Sequence, residues 1–473
     1  MTLVFEQILA DGIAQLSYLV GDDAAGTAAV IDPRPDVDVY LDMARDRGLA
    51  ITHVFETHIH ADFMSGAREL AARLGEAELC VSVEGGATYD FPHRGLRDGD
   101  AFTFGGVRLT TRFTPGHTPE HVSFLLAETD REDAPFAVLS GDSLFVDSAG
   151  RPDLLGDEMA DQLVEQLFDT LQGVYAKLDD GVIVYPCHGA GSACGPAIGD
   201  RTSSSIGYER RFNRFLRLDE RNAFREAMLE GAPPVPTHYP HLKKVNAAGP
   251  PVLGNFPRVP ALTPEAFAAA VQRGDARLLD TRDMLAFGGG HIEGALNIPM
   301  RPELSVWAGW LLDPDTPILL VLEDDTDLDA VVAMLWRTGF VRFRGYLIGG
   351  MAKWQNAGLP LQGLTQMTVD EVHEAGAGLR IVDARTPGEW QQGRIPGALH
   401  GFVPEILERT VDLERNSPTA VYCDSGFRGS IAASLLQARG FADVRNVPGS
   451  WQAWTAAGYP IETDPEKAEG EAA

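Results

Sequence analysis

The sequence predicts a multidomain chain of mixed class: an α+β domain of mixed sheets, then two small α/β domains with parallel sheets. Three observations carry this expectation. The length of 473 residues, set against roughly 100–200 residues per domain, allows about three domains. The second half repeats itself, and each copy alternates short apolar runs with helical patterns, as parallel strands joined by helices do. The first half instead shows many strand patterns with fewer helices between them.

In chain order, the first domain is expected over residues 1–245. Its strand patterns are AAVIDP, ITHVFETH, AFTFGGVRLTTRFTP, HVSFLLAE, FAVLSGD and VIVYPCHG, and helical periodicity falls near 36–47, 64–74, 158–176 and 208–229. Prolines and glycines then interrupt every period in AAGPPVLGNFPRVPALTP, so residues 246–261 read as a linker. The repeats follow at 262–364 and 365–465. Leu279-Asp280-Thr281-Arg282 returns as Val382-Asp383-Ala384-Arg385, and Trp354, Gly358 and Pro360 return as Trp454, Gly458 and Pro460. The end, 466–473, is acidic and expected to be disordered.

Composition excludes whole classes of function. A net charge of −29 repels phosphate backbones and anionic lipid, so nucleic acid and membranes are poor partners. The N-terminus, MTLVFEQ, lacks the basic start and apolar core of a signal peptide, and four cysteines in so long a chain do not make a disulfide framework. A cytoplasmic protein with reduced thiols is expected. Cys80 reads as a buried inert thiol, and Cys187 and Cys194 bracket a glycine-rich turn with no assigned chemistry.

Histidine and aspartate gather at the ends of the first domain's strands: His58, His60 and Asp62 in THIHAD, His117 in TPGH, Asp142 in SGD and His188 in YPCHG. Imidazole and carboxylate ligands brought together at strand tips suit zinc, iron or manganese. These motifs resemble the metallo-β-lactamase superfamily, which implies an αββα sandwich with metal at the edge between its sheets. The binuclear hydrolases of that superfamily carry HxHxDH, and here the last position is Phe63. The sequence is closer to the persulfide dioxygenases of the superfamily. That resemblance implies one Fe(II) per chain, with zinc as the alternative, held by His58, His117 and Asp142. His60, Asp62 and His188 then either ligate directly or orient the ligands by hydrogen bonds, and the two readings stand level. Arg210, Arg211 and Arg214 sit in an arginine-rich segment able to hold the anionic carrier of a thiol, although their spacing around a helix fits a solvated, salt-bridged face slightly better.

Cys423 ends the apolar run TAVY and opens the loop Cys423-Asp424-Ser425-Gly426-Phe427-Arg428 before a helical pattern. Such a loop aims backbone N–H groups at one anion and favours a thiolate or persulfide. Both repeats resemble rhodanese domains, which gives Cys423 the role of persulfide-bearing nucleophile and Arg428 that of anion stabiliser. Phosphatases of the same fold have a loop one residue longer, so sulfur transfer is expected rather than dephosphorylation. The first copy puts Leu322 opposite Cys423 and follows it with Glu323-Asp324-Asp325-Thr326-Asp327, an acidic loop that repels anions. It reads as a spacer or dimer-forming module.

Together these readings predict a bifunctional enzyme of sulfide metabolism. It would oxidise a glutathione- or coenzyme A-type persulfide with O2 to sulfite and free thiol, would exchange sulfur with sulfite or thiosulfate through Cys423, and would form a homo-oligomer. The alternatives are a thioester hydrolase resembling glyoxalase II with an appended sulfurtransferase, and a sulfur carrier or sensor with a structural metal.

Overall fold

The computed structural model describes residues 3–230 and 234–463. The acidic tail expected at 466–473 lies outside the described residues. The chain divides into two compact units, Met1–Phe256 with Ala333–Gly339, and Pro257–Val332 with Phe340–Ala473. Among the described residues no helix is long and apolar enough to cross a membrane.

The first unit is a sandwich of two six-stranded sheets. Strands β1 (Leu3–Ala10), β2 (Gln15–Asp22), β3 (Thr27–Ile31), β4 (Ala50–Phe55), β5 (Glu78–Ser82) and β6 (Arg94–Leu96) form one sheet in chain order. It is antiparallel up to β3 and parallel beyond it. The other sheet comprises β7 (Ala101–Phe104), β8 (Val107–Phe113), β9 (Val122–Glu128), β10 (Ala137–Gly141), β13 (Ile183–Pro186) and β14 (Ser204–Ser205), in the order β14-β13-β10-β9-β8-β7. A short ribbon of β11 (Leu144–Phe145) and β12 (Ser148–Ala149) stands apart.

The inner faces interlock through Leu16, Tyr18, Phe55 and Cys80 from one sheet and Phe102, Leu109, Phe124 and Leu139 from the other. Truncating one such phenylalanine to alanine costs about 3–5 kcal/mol. Helices α1 (Asp38–Arg47) and α2 (Ala67–Leu74) cover the outside of the first sheet with Tyr40, Ala44 and Leu70. The second is covered by α3 (Asp157–Gly173) and α5 (Arg221–Leu229), through Val164, Leu167 and Phe224. This is the expected αββα layering. Burial follows the layers: β8, near the sheet edge, alternates buried and half-buried residues, whereas β2 is buried at every position.

Two helices differ from the sequence expectation. The periodic stretch 208–229 breaks into α4 (Ile206–Phe212) and α5, because Asn213 turns its side chain inward. Its amide donates to Ser148 O at 2.9 Å and its carbonyl oxygen accepts from Phe215 N at 2.9 Å, a local bond that competes with helix continuation. A further helix, α6 (Tyr239–Ala248), has Pro240 in its first turn and takes in the first residues of the expected linker.

In the second unit the repeat becomes two parallel five-stranded sheets of identical order. One runs β15 (Ala261–Leu262), β19 (Phe343–Leu347), β18 (Ile318–Val321), β16 (Arg277–Asp280), β17 (Leu296–Asn297). The other runs β20 (Thr365–Gln366), β24 (Val444–Asn446), β23 (Thr419–Tyr422), β21 (Arg380–Asp383), β22 (Leu399–His400). The repeated residues make repeated bonds. Arg282 Nη2 reaches Asp280 at 2.7 Å and Arg385 Nη2 reaches Asp383 at 2.6 Å, while Trp354 and Trp454 each donate to a proline carbonyl, Pro360 and Pro460, at 2.9 Å. The copies meet along the helix Phe427–Ala438, where Ser430 Oγ lies 2.6 Å from Asn297 Oδ1 and Asn297 N donates to Ser434 Oγ at 3.1 Å.

Candidate metal centre and thiol loop

The loops that leave β4, β8, β10 and β13 carry His58, His117, Asp142 and His188, all buried, to one edge of the sandwich. His58, His117 and Asp142 each offer one ligand atom, and these atoms lie within 4.8 Å of one another. Asp142 Oδ2 is 3.8 Å from His58 Nε2 and 3.5 Å from His117 Nε2. The far sides of the rings are already held: His117 Nδ1 donates to the Arg151 carbonyl at 2.9 Å, and His58 Nδ1 lies 2.9 Å from Thr57 Oγ1. Burial and neighbouring imidazoles depress the pKa of His58 well below the ordinary histidine value, and burial depresses that of His117. Both rings are therefore neutral, with the Nε2 of His117 free to act as a ligand. Burial alone would raise the Asp142 carboxyl, but His188 beside it, by charge and by hydrogen bond, holds it below the usual carboxylate range.

Asp142 Oδ2 is buried and accepts no hydrogen bond in the described structure. An orphaned carboxylate oxygen facing two neutral imidazoles fits a divalent cation, either Fe(II) or zinc by donor type.

The other three candidates are engaged with carboxylates. His188 bridges Asp142 Oδ1, 2.8 Å from its Nδ1, and Asp62 Oδ2, 2.7 Å from its Nε2. His60 Nε2 lies 3.1 Å from Asp32 Oδ1 and 3.6 Å from Glu56. Burial opposes charge on both rings, yet the acids prevail, pushing His60 up to about 9 and His188 well above the ordinary value. Asp62 and His188 also group with Cys194 closely enough to hold an ion. Phe63 stacks against His60 at a ring-centroid distance of 4.3 Å, on the string where a further imidazole would stand in HxHxDH.

Several supporting residues escape the sequence reading. Asp32 accepts from Thr57 N at 2.7 Å, anchoring the start of THIHAD. Asn246 on α6 donates to the carbonyls of His60 and Phe63, both at 2.8 Å, and accepts from Ser65 N at 2.9 Å, so it clamps the loop's far end. His121 Nε2 accepts from Asp142 N at 3.0 Å. That contact requires Gly141, which sits at φ +54 and where a Cβ would lie 2.4 Å from His121 Nε2.

The arginine-rich segment is a salt-bridged surface. Arg210 pairs with Asp180 and donates to the carbonyls of Ala176 and Leu178 at 2.9 and 2.7 Å. Arg214 covers the Phe215 ring at 4.4 Å, and Arg211 is exposed.

Cys423 follows β23 and is buried, with its sulfur accepting from Gly426 N at 3.1 Å. The backbone therefore reaches the sulfur as expected. Arg428 has a second engagement: both Nη atoms donate to the Glu389 carboxylate, at 2.7 and 2.6 Å. The planar guanidinium fork matches a carboxylate, and the pair holds Glu389, against the opposing effect of burial, at about 2. In the first copy the acidic loop satisfies its own N–H groups. Asp324 caps Thr326 N at 2.8 Å, and Asp325 accepts from Gly349 N at 3.0 Å.

Residues 10–188 match the metallo-beta-lactamase superfamily, and residues 263–357 and 368–457 each match the rhodanese-like domain. A mitochondrial persulfide dioxygenase of Bos taurus is 30% identical over 175 residues, a stretch covering 36% of this chain and 63% of that protein. The chain thus spans a little under two thirds of that relative. A hydroxyacylglutathione hydrolase of Polaromonas is 32% identical over 225 residues, covering 43% of this chain and 81% of the relative. Among solved structures, a metallo-beta-lactamase from Staphylococcus aureus is 32% identical with a TM-score of 0.66, covering 73% of this chain and 98% of the other. The chain belongs to the metallo-beta-lactamase superfamily, has homologues among its persulfide dioxygenases, and carries two rhodanese-like domains behind its metal-binding sandwich.

Proposed function

We propose that the chain is a bifunctional enzyme of sulfide metabolism. Its first domain oxidises a low-molecular-weight thiol persulfide, and its last domain transfers sulfur through Cys423. The observation that carries this reading is an orphaned Asp142 carboxylate oxygen facing two neutral imidazoles, in a chain that also holds a thiol within reach of a loop N–H. His58, His117 and Asp142 would hold one ferrous ion, which when bound supplies oxygen activation with positions left for substrate. The chain's own part is to fix donors. The Arg151 carbonyl sets the His117 tautomer, His188 orients Asp142, and Asn246 and Asp32 pin the loop between them.

The first reaction balances as persulfide plus O2 plus water giving thiol, sulfite and two protons. In the second, the terminal sulfur of a Cys423 persulfide bonds to sulfite as the S–S bond breaks, so that thiosulfate forms and the thiol regains its proton. The reverse direction would load Cys423 from thiosulfate. The substrates are glutathione- or coenzyme A-type persulfides, and four free cysteines suit a reducing cytoplasm.

A second reading, thioester hydrolysis at a binuclear zinc site, draws support from the hydroxyacylglutathione hydrolase relative, while Phe63 counts against it. Oxygen uptake by anaerobically iron-loaded protein, with glutathione and coenzyme A persulfides and with metal content measured on the same sample, separates the readings. One iron and uptake are expected, and Asp142→Ala should lose both. Two zincs with thioester cleavage, or a Cys423 persulfide adduct without turnover, would overturn the proposal.

A further inference from the structure

Helix α6 brings a second feature to the metal edge. Besides Asn246 it carries Lys243, whose ammonium nitrogen is buried and has no hydrogen-bond partner in the described structure. The side chain lines a cavity of about 730 Å³ with Ile59, Ala61, Leu154, Leu155 and Tyr239. Ile59 and Ala61 alternate with His58, His60 and Asp62 in one string, so the cavity lies against the loop that presents the metal-facing histidine. The positive charge of Lys243 acts on His58 and on His117. Burial draws the lysine pKa down from its ordinary value, and Glu120 opposes the shift. The one Glu120 hydrogen bond described is to the backbone, from Ile59 N at 2.9 Å.

A buried ammonium with no partner is costly to a fold. It is tolerated where a ligand brings the missing charge, and the walls here are otherwise mostly apolar. We infer that Lys243 is the docking cation for the sulfur-borne anion of the substrate, beside the metal-facing imidazoles. The inference rests on the persulfide reading above and adds the group that recognises the reacting end. Two anions share this chemistry: the terminal sulfur of the persulfide and the oxygens of sulfite. An ammonium serves either, as a compact point charge with rotatable donors.

The test compares wild type, Lys243→Met and Lys243→Arg as full-length, iron-loaded protein. Calorimetric titration with sulfite should show binding weakened about tenfold or more in K243M, and largely retained in K243R. Titration with free glutathione and free coenzyme A should be unchanged. Oxygen uptake reads the persulfide arm, where K243M should raise KM by a similar factor. Thermal melting adds a readout independent of activity: K243M should melt at or above wild type, because it removes an unpaired buried charge. Sulfite binding and persulfide KM both unchanged in K243M, weakening confined to the free thiols, or a lowered melting temperature would each overturn the assignment. Wild type that takes up no oxygen with any persulfide would instead defeat the dioxygenase reading, and the sulfite titration would still judge Lys243.

Discussion

The two rhodanese-like copies share strand order, the buried Asp–Arg pair and the tryptophan-to-proline bond, yet one ends its third central strand in Cys423 and the other in Leu322. In the second copy a loop N–H points at sulfur. In the first, carboxylates of the loop itself occupy the N–H groups. The difference teaches that the scaffold and the chemistry of this fold separate cleanly: the scaffold lies in buried pairs common to both copies, and the chemistry in six residues of one loop.

The largest expected effect breaks the comparison at its chemical end. Cys423→Ser should abolish sulfur transfer, measured as thiosulfate turnover, while oxygen uptake with supplied persulfide continues. Loss of both would mean that the two sites work only together. At the scaffold end, Asp280→Ala and Asp383→Ala each strand a buried arginine and should each cost about 3–5 kcal/mol in urea unfolding. Clearly unequal losses would show that the copies are not energetic equivalents. A smaller effect concerns Glu389, whose carboxyl is held at about 2 against an ordinary 4.5. A depressed acid stabilises the fold above its unfolded pKa, so this contribution is complete above about pH 4.5 and fades as pH falls toward 2. Glu389→Gln should flatten that acid limb in thermal melts. The smallest is Leu322→Cys, for which no sulfur transfer is expected above a Cys423→Ser background, because the acids after residue 322 remain. Recovered turnover would show that the thiol alone suffices.

Much of this was legible in advance because the relevant signals are local. THIHAD, TPGH and SGD each place a ligand just past an apolar strand, and the repeat announces itself through paired Asp–Arg and Trp–Gly–Pro spacings. What the sequence concealed acts across distance. Asp32 and Thr57 meet from adjacent strands, and Asn246 and Ser65 from ends of the domain 181 residues apart. No motif marks an asparagine or lysine on a short helix that begins with Tyr-Pro. Helix 208–229 was misjudged for a similar reason, since the inward turn of Asn213 depends on a carbonyl at Ser148. The Arg428–Glu389 fork likewise joins residues from separate elements.

The position of Asn246 has a practical consequence for anyone who would cut the chain in two. A truncation after residue 245 looks natural beside the proline-rich stretch, yet it would sever the latch on the THIHAD turn. Leu253 N, which donates to Glu69 at 2.7 Å, would be lost with it. An excised first domain would have to extend through Phe256 to keep its own fasteners, and a shorter one would report on a wounded site rather than an isolated one.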